Sequence, residues 1–298
     1  MTDIPDERIA ASDGRIGLIA GGGTFPHAVA RAARKRGFDV ICAGIRHEVF
    51  PDLASEVDAF RVLGLGRWGA VVRYFHRHEV RVISWAGWIR KERFFTPWRT
   101  LSLVPDWRAL KFILRQLADR QNQTLLKAIA DEFEREGFDI AHSAQYCPEL
   151  LVERGLLTKR RPSKKQLQDI AFGWRVAKRI ADLDVGQSVA VVDRATIAVE
   201  GMEGTDRNIL RAGELCRRGF TVVKLAKDGH DMRFDVPAVG PQTIETLKQA
   251  RGAVLALEAG KTLVLERQKL IETADRYGIV VVAFEGPPDA EAPFSTNC

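Results

Sequence analysis

The chain has 298 residues, enough for two domains or one large α/β unit. With 46% hydrophobic and 28% charged residues, 12 Pro and 25 Gly, it reads as a packed protein, which excludes disordered, collagenous and coiled-coil chains. The net charge of +6 favours phosphate-bearing partners without separating nucleic acid, phosphorylated metabolite and anionic membrane, and the scattered Cys42, Cys147, Cys216 and Cys298 have neither zinc nor disulfide spacing, which suits a reducing cytoplasm.

Residues 1–15 form a polar extension, and no apolar run reaches the ~18 residues of a membrane span, so neither a signal peptide nor a transmembrane segment is expected. Residues 16–20 predict a buried strand, and Gly21-Gly22-Gly23 then leads through Pro26 into a helix ending at Gly37. A second strand over 40–45, a helix over 68–76 and a third strand over 80–85 continue the alternation of a parallel sheet. Two amphipathic helices follow, one from Asp106 through Leu117 and one carrying Leu126, Ile129 and Phe133. Residues 16–155 therefore read as a Rossmann-like domain.

The basic, proline-marked stretch around Lys159-Arg160-Arg161-Pro162 predicts a linker over 156–165. Beyond it, a helix over 166–181, strands over 188–192 and 196–200, a helix from Thr205, strands over 220–225 and 253–257, a helix over 241–250 and apolar runs at 262–265 and 279–284 predict a second, distinct mixed α/β domain over 166–286. Residues 287–298 form a tail.

Four groups of residues bear on chemistry. The turn Gly21, Gly22, Gly23 lets a ligand approach the main chain, and the following helix start could hold a phosphate; a dinucleotide fingerprint is not completed, because Pro26 stands where glycine is required and Arg46 follows the second strand in place of an acid. Glu200, Glu203, Thr205 and Asp206 gather between a strand end and a helix start, where carboxylates could hold a divalent cation, although helix capping by Thr205 or Asp206 explains the hydroxyl and the second acid equally simply. Lys224, Lys227, Asp228, Asp231, Arg233 and Asp235 form the third group; Asp235 lies inside an apolar strand-like run, and a carboxylate there needs a cation, a metal or hydrogen bonds. In the fourth, Trp85, Trp88, Trp98 and Trp107 alternate with Arg90, Lys91, Arg93 and Arg99, a composition suited to acyl chains beside phosphate, to anionic lipid or to nucleobases, and equally to core packing. His76 and His78 would diverge at a helix end rather than share a metal.

From Ile16 to about Gly286 the sequence resembles the LpxI-type UDP-2,3-diacylglucosamine pyrophosphatases of lipid A biosynthesis. The resemblance runs through Gly17-Leu18-Ile19-Ala20-Gly21-Gly22-Gly23, Pro26, Ala86-Gly87, Glu136-Gly137-Phe138, Pro162-Ser163, Gln166, Asp169-Ile170, Leu183-Asp184-Val185-Gly186-Gln187, Glu203-Gly204-Thr205-Asp206, Lys227 and Asp235-Val236-Pro237. It implies a two-domain magnesium enzyme that binds its lipid substrate between the domains and yields UMP and 2,3-diacylglucosamine 1-phosphate, lipid X, with Asp235 matching the essential aspartate. Many relatives carry paired acids where this chain has Gln121-Asn122-Gln123-Thr124.

On that basis Asp235, Asp206 and Glu203 are the catalytic candidates, Asp235 and Asp206 the magnesium ligands, and Gly21, Gly22, Gly23, Gln187, Thr205 and Lys227 the substrate contacts. The implied partners are UDP-2,3-diacylglucosamine and, transiently, the cytoplasmic face of the inner membrane, with no nucleic acid, and a homodimer is compatible. Two other classes stay open: a Rossmann-type nucleotide-sugar oxidoreductase or transferase, and a non-enzymatic basic protein that binds lipid or RNA.

Overall fold

A computed structural model describes residues 13–64, 66–89, 122–227 and 236–289, with side chains given from residue 129 onward in the helix that opens the third stretch. The chain forms two compact units that meet in sequence between Pro148 and Glu149.

In the first unit the order is β1 (Arg15–Ala20), α1 (Phe25–Lys35), β2 (Asp39–Ile45), β3 (Ala59–Leu63), α2 (Trp68–Arg77), β4 (Val82–Ala86), α3 (Asn122–Arg135) and β5 (Asp139–Ile140). All five strands are parallel, in the order β3-β2-β1-β4-β5. This is the doubly wound arrangement expected from the alternating apolar runs, with the strand order reversing between β1 and β4. Two strands escaped the sequence reading, β3 and the two-residue β5. β3 is an edge strand with Arg61 and Val62 exposed, so it lacks the continuous apolar signature of β1 and β2, and the strand expected third is the fourth. Ile41, Ile83, Phe75, Phe133 and Phe138 close the core between the sheet, α2 and α3. The amphipathic helix expected from Asp106 lies outside the described residues.

The second unit contains β6 (Gly155–Leu156), α4 (Lys164–Asp182), β7 (Ser188–Val192), β8 (Ala195–Val199), α5 (Thr205–Leu215), β9 (Thr221–Lys224), β10 (Ala238–Val239), α6 (Pro241–Ala250), β11 (Val254–Glu258), β12 (Leu263–Val264), α7 (Arg267–Tyr277) and β13 (Val280–Phe284). Its main sheet is mixed, in the order β6-β13-β11-β9-β7-β8, and β10 pairs with β12 in a separate two-stranded sheet. Because successive strand residues face opposite sides, the sheet serves two cores. Ala190, Val222, Leu255 and Val281 pack among residues of α5, α6 and α7, while Val189, Val223, Ala256 and Val282 pack with Leu167, Ile170 and Trp174 of α4.

The expected linker belongs to this unit. Gly155 and Leu156 pair antiparallel with β13, and the Thr158 hydroxyl accepts from Val281 N–H at 3.0 Å. The Lys159 N–H donates to Asp275 Oδ1 at 2.8 Å, and Arg160 donates to the Gly278 carbonyl, the C-terminal cap of α7, at 3.0 Å. A cation at a helix C-terminus is favourable, which explains part of the basic run that had suggested a tether. Ser163 and Gln166 then close a capping box at the start of α4. The helix α7 was not anticipated, because only Leu270, Thr273 and Ala274 of it are buried and the rest of its surface is polar.

Asp169, one of the residues carrying the family resemblance, has a structural explanation. It is buried on α4 and accepts from the N–H groups of Asp193 at 3.2 Å and Arg194 at 2.7 Å. Those two residues have positive φ, 50° and 60°, and form the tight turn between β7 and β8. Asp169→Ala is expected to cost about 1.5–3 kcal/mol, the range for hydrogen bonds to a charged group, read as a fall of several degrees in melting temperature. An unchanged transition would show that the turn holds itself.

Candidate functional site

The glycine turn follows β1 at the point where the strand order reverses. Gly21 N–H donates to the Ala86 carbonyl at 2.8 Å and Gly22 N–H to the Trp88 carbonyl at 2.8 Å, while Trp88 N–H returns to the Gly22 carbonyl at 3.1 Å. The amides of Gly21 and Gly22 are therefore committed to main-chain pairing, and a phosphate at this turn would meet only amides from Gly23 onward. Close approach of the chain accounts for the glycines: a Cβ on Gly21 would lie 2.5 Å from the Trp88 carbonyl oxygen, and one on Gly22 would lie 2.7 Å from the Trp88 ring.

In the second unit β7 runs antiparallel to both β8 and β9, so β8 and β9 point the same way, and β11 and β13 run parallel to β9. Their carboxyl ends share one edge of the sheet, the usual location of ligands in open α/β sheets. The residues following β8, the end of β9 and the end of β11 all bring chemistry to it. Gln187 enters β7 from the same edge, its carbonyl accepting from Leu225 N–H at 2.9 Å. Lys227 lies just beyond the end of β9, half-buried.

Thr205 and Asp206 open α5, yet neither caps it. The cap position is Gly204, at φ 83° and without a side-chain cap hydrogen bond. Thr205 instead donates to Glu200 Oε2 at 3.0 Å and accepts from Lys224 Nζ at 2.5 Å. Lys224 is buried, 6% exposed, which demands negative partners close by. Asp206 accepts a hydrogen bond from the buried Thr243 of α6. Its carboxyl is pushed above the usual aspartate range, first by burial and further by the Glu200 charge, against the opposing pull of Lys224 and the Thr243 hydrogen bond.

Of the expected trio, Asp206 and Glu203 lie among the described residues. Glu203 Oε2 accepts from Gly201 N–H of its own loop at 3.1 Å, and Oε1 pairs with Arg211 of α5 at 2.7 Å. Through this pair Arg211 of α5, eight residues on, ties down the β8–α5 loop. Asp235, with Asp228, Asp231 and Arg233, lies outside the described residues, as do Arg90, Lys91, Arg93, Trp98, Arg99 and Trp107. Of the described tryptophans, Trp85 packs edge-on against Phe133 with centroids 5.7 Å apart, and Trp88 covers the glycine turn with 46% of its surface exposed. His76 stacks on Phe138 and His78 meets the Tyr74 ring edge-on, so the two imidazoles do diverge.

A further cluster was missed in the sequence. Glu258 ends β11 at only 2% exposure, accepts from Lys178 Nζ at 2.8 and 3.0 Å and from Ala226 N–H at 2.9 Å, and pairs with Lys261 at 2.8 Å. The signal was present: an acid closing the apolar run Val254–Leu257 needs a partner by the same reasoning that singled out Asp235. Its main partner is 80 positions away, beyond the reach of any spacing rule.

Among the described residues, no group of three or more His, Cys, Asp and Glu side chains is arranged to hold a metal. The donor chemistry at α5 nevertheless suits magnesium. Glu200 and Asp206 are carboxylates near enough to repel, Thr205 adds a hydroxyl oxygen, and a hard divalent cation prefers such oxygens and would relieve their repulsion.

Sequence models of two domains match the chain: the LpxI N-terminal domain over residues 15–150 and the LpxI C-terminal domain over 153–282. A relative from Caulobacter vibrioides, named UDP-2,3-diacylglucosamine pyrophosphatase LpxI, is 31% identical over 281 residues, covering 91% of this chain and 98% of its own length. The two domain matches adjoin at the boundary between the compact units, and together with this relative they place the chain in the LpxI family.

Proposed function

We propose that this protein hydrolyses the pyrophosphate bond of UDP-2,3-diacylglucosamine, releasing UMP and 2,3-diacylglucosamine 1-phosphate, and so acts in lipid A biosynthesis. The observation that carries the reading is the part-buried Glu200–Thr205–Lys224 network beside Asp206, at the carboxyl edge of a sheet in a domain matched by the LpxI C-terminal family. Such a cluster supplies both requirements of phosphoryl transfer: cationic charge for the phosphate oxygens and a carboxylate to orient water.

In this reading Lys227 offsets charge developing on the diphosphate. Thr205 and Gln187 contact the substrate, and Glu203 serves them by closing the loop that carries Thr205. Asp206 and Asp235 are the proposed magnesium ligands, and the ion would supply charge neutralisation at the phosphates. Asp235 is also proposed to orient the attacking water. Burial and the neighbouring Glu200 make ionised Asp206 costly to hold, and such a group gains from any cation brought with the substrate. We place the reaction at the cytoplasmic surface of the inner membrane, reached peripherally. Among the described residues no helix is long and apolar enough to cross a membrane.

The test is incubation of the full chain with UDP-2,3-diacylglucosamine and magnesium, measuring UMP. Release that stops with EDTA and with Asp235→Ala is expected. Absence of UMP above the enzyme-free blank would end the reading, and undiminished turnover by Asp235→Ala would remove that residue from it.

A further inference from the structure

Ala226 lies two residues past the end of β9, where the sheet no longer supplies strand partners, and it is fully buried. Buried main-chain groups must be paired. Here two side chains do it: the Ala226 N–H donates to Glu258 Oε2 at 2.9 Å, and its carbonyl accepts from Lys178 Nζ at 3.1 Å. The same carboxylate and ammonium bind each other. They come from separate elements, Glu258 from the end of β11 and Lys178 from the C-terminal part of α4, and both are largely buried, their side chains 3% and 16% exposed.

A buried ion pair adds little stability over a well-packed apolar pair, because desolvating two charges offsets most of their attraction. What this pair provides that an apolar pair could not is a two-sided grip on one residue, through the two peptide groups that flank it. The residue after Ala226 is Lys227, and Lys224 of the Thr205 network lies two positions before it. The grip therefore sets where the chain leaves the sheet between two lysines of the proposed site.

We propose that Glu258 and Lys178 are positioning residues for the reaction, fixing Ala226 so that Lys227 is presented to the phosphates of the substrate; this rests on the pyrophosphatase reading above. Neither residue needs to touch substrate. Displacement of a phosphate-binding group by about 1 Å can cost on the order of 100-fold in rate, so loss of the grip reads out in turnover even where the fold survives.

The experiment uses the full chain and compares wild type with Lys178→Met/Glu258→Leu, a pair of changes that removes both charges and leaves neither stranded. Melting temperature is measured together with kcat and KM for UMP release in magnesium. Lys227→Ala is then made in both backgrounds. We expect a melting temperature lowered by several degrees, because the Ala226 N–H and carbonyl lose their partners, with the protein still folded at the assay temperature, kcat/KM lower by on the order of 10- to 100-fold, and a Lys227→Ala loss much smaller in the double variant than in wild type, since a misplaced Lys227 has less to lose. Wild-type kcat/KM in the double variant, or strictly additive losses, overturns the proposal. Should the double variant not fold, Glu258→Gln, which keeps one oxygen for Ala226 or Lys178, is judged by the same cycle with Lys227→Ala, and additivity there is equally fatal. A wild-type protein that releases no UMP defeats the pyrophosphatase reading itself, and the positioning role with it.

Discussion

Exchange of Asp206 for asparagine is expected to lower UMP release by on the order of 100- to 1,000-fold while raising thermal stability at neutral pH. Asparagine retains the shape and an oxygen that can accept from Thr243, so the packing of α5 against α6 is preserved. It loses the charge that the reaction needs and that the fold holds at a cost. The sign of the pH effect follows from the raised carboxyl. A folded state that holds the Asp206 proton more tightly than the unfolded chain binds more protons in the interval between the ordinary aspartate value and the raised one. Stability from this group is therefore present at the acid end and lost as pH rises through that interval. The melting-temperature gap between Asp206→Asn and wild type should widen from acid to neutral pH. A gap that stays flat, or turnover within a few-fold of wild type, would contradict the assignment.

The largest stability effect is expected from Gly87→Ala. Gly87 follows β4 at φ 89°, a region in which an L side chain is strained, and its Cβ would fall 2.4 Å from the Gly22 carbonyl oxygen and 2.9 Å from Pro26 Cγ. The backbone strain alone is worth about 1–3 kcal/mol. The overlap is with main chain rather than a flexible side-chain tip, so relief requires parting the Gly22–Trp88 bridge that joins the ends of β1 and β4. We expect a total of roughly 3–5 kcal/mol, combining strain with overpacking. Hydrogen exchange should localise it, with amides of β1 and β4 losing protection before those of β9 and β11. Equal loss in both units, or no loss, would show that the bridge is not what holds this edge together.

The two predictions fall on residues that were legible in the sequence to different degrees. Thr205 and Asp206 stood out because two acids and a hydroxyl followed an apolar run within a few positions. Their rival explanation as helix caps was settled only by the chain's path, which leaves the cap to Gly204 and turns both side chains to partners on other elements, Thr205 to Glu200 and Lys224 and Asp206 to Thr243. Gly87 appeared in the sequence only beside Ala86, as a matched pair, and its constraint comes from Gly22, which pairs with its neighbour Trp88 across β1 and β4.

Fold class, the buried strands and most helices could be read from local order, because burial on both faces forces continuous apolar runs and a one-sided helix repeats every three or four residues. Elements whose pattern is diluted by solvent escaped: the edge strand β3, the polar helix α7, and the basic stretch at 155–161, which is pinned to β13 and the end of α7. Local patterning also could not reveal the pairing of Lys178 with Glu258, or of Lys224 with Thr205, because a buried charge chooses its partner by proximity in the folded chain. Periodicity along the backbone encodes which face is wet. Only the folded sheet, by bringing the ends of β8, β9 and β11 to one edge, decides which charges must answer one another.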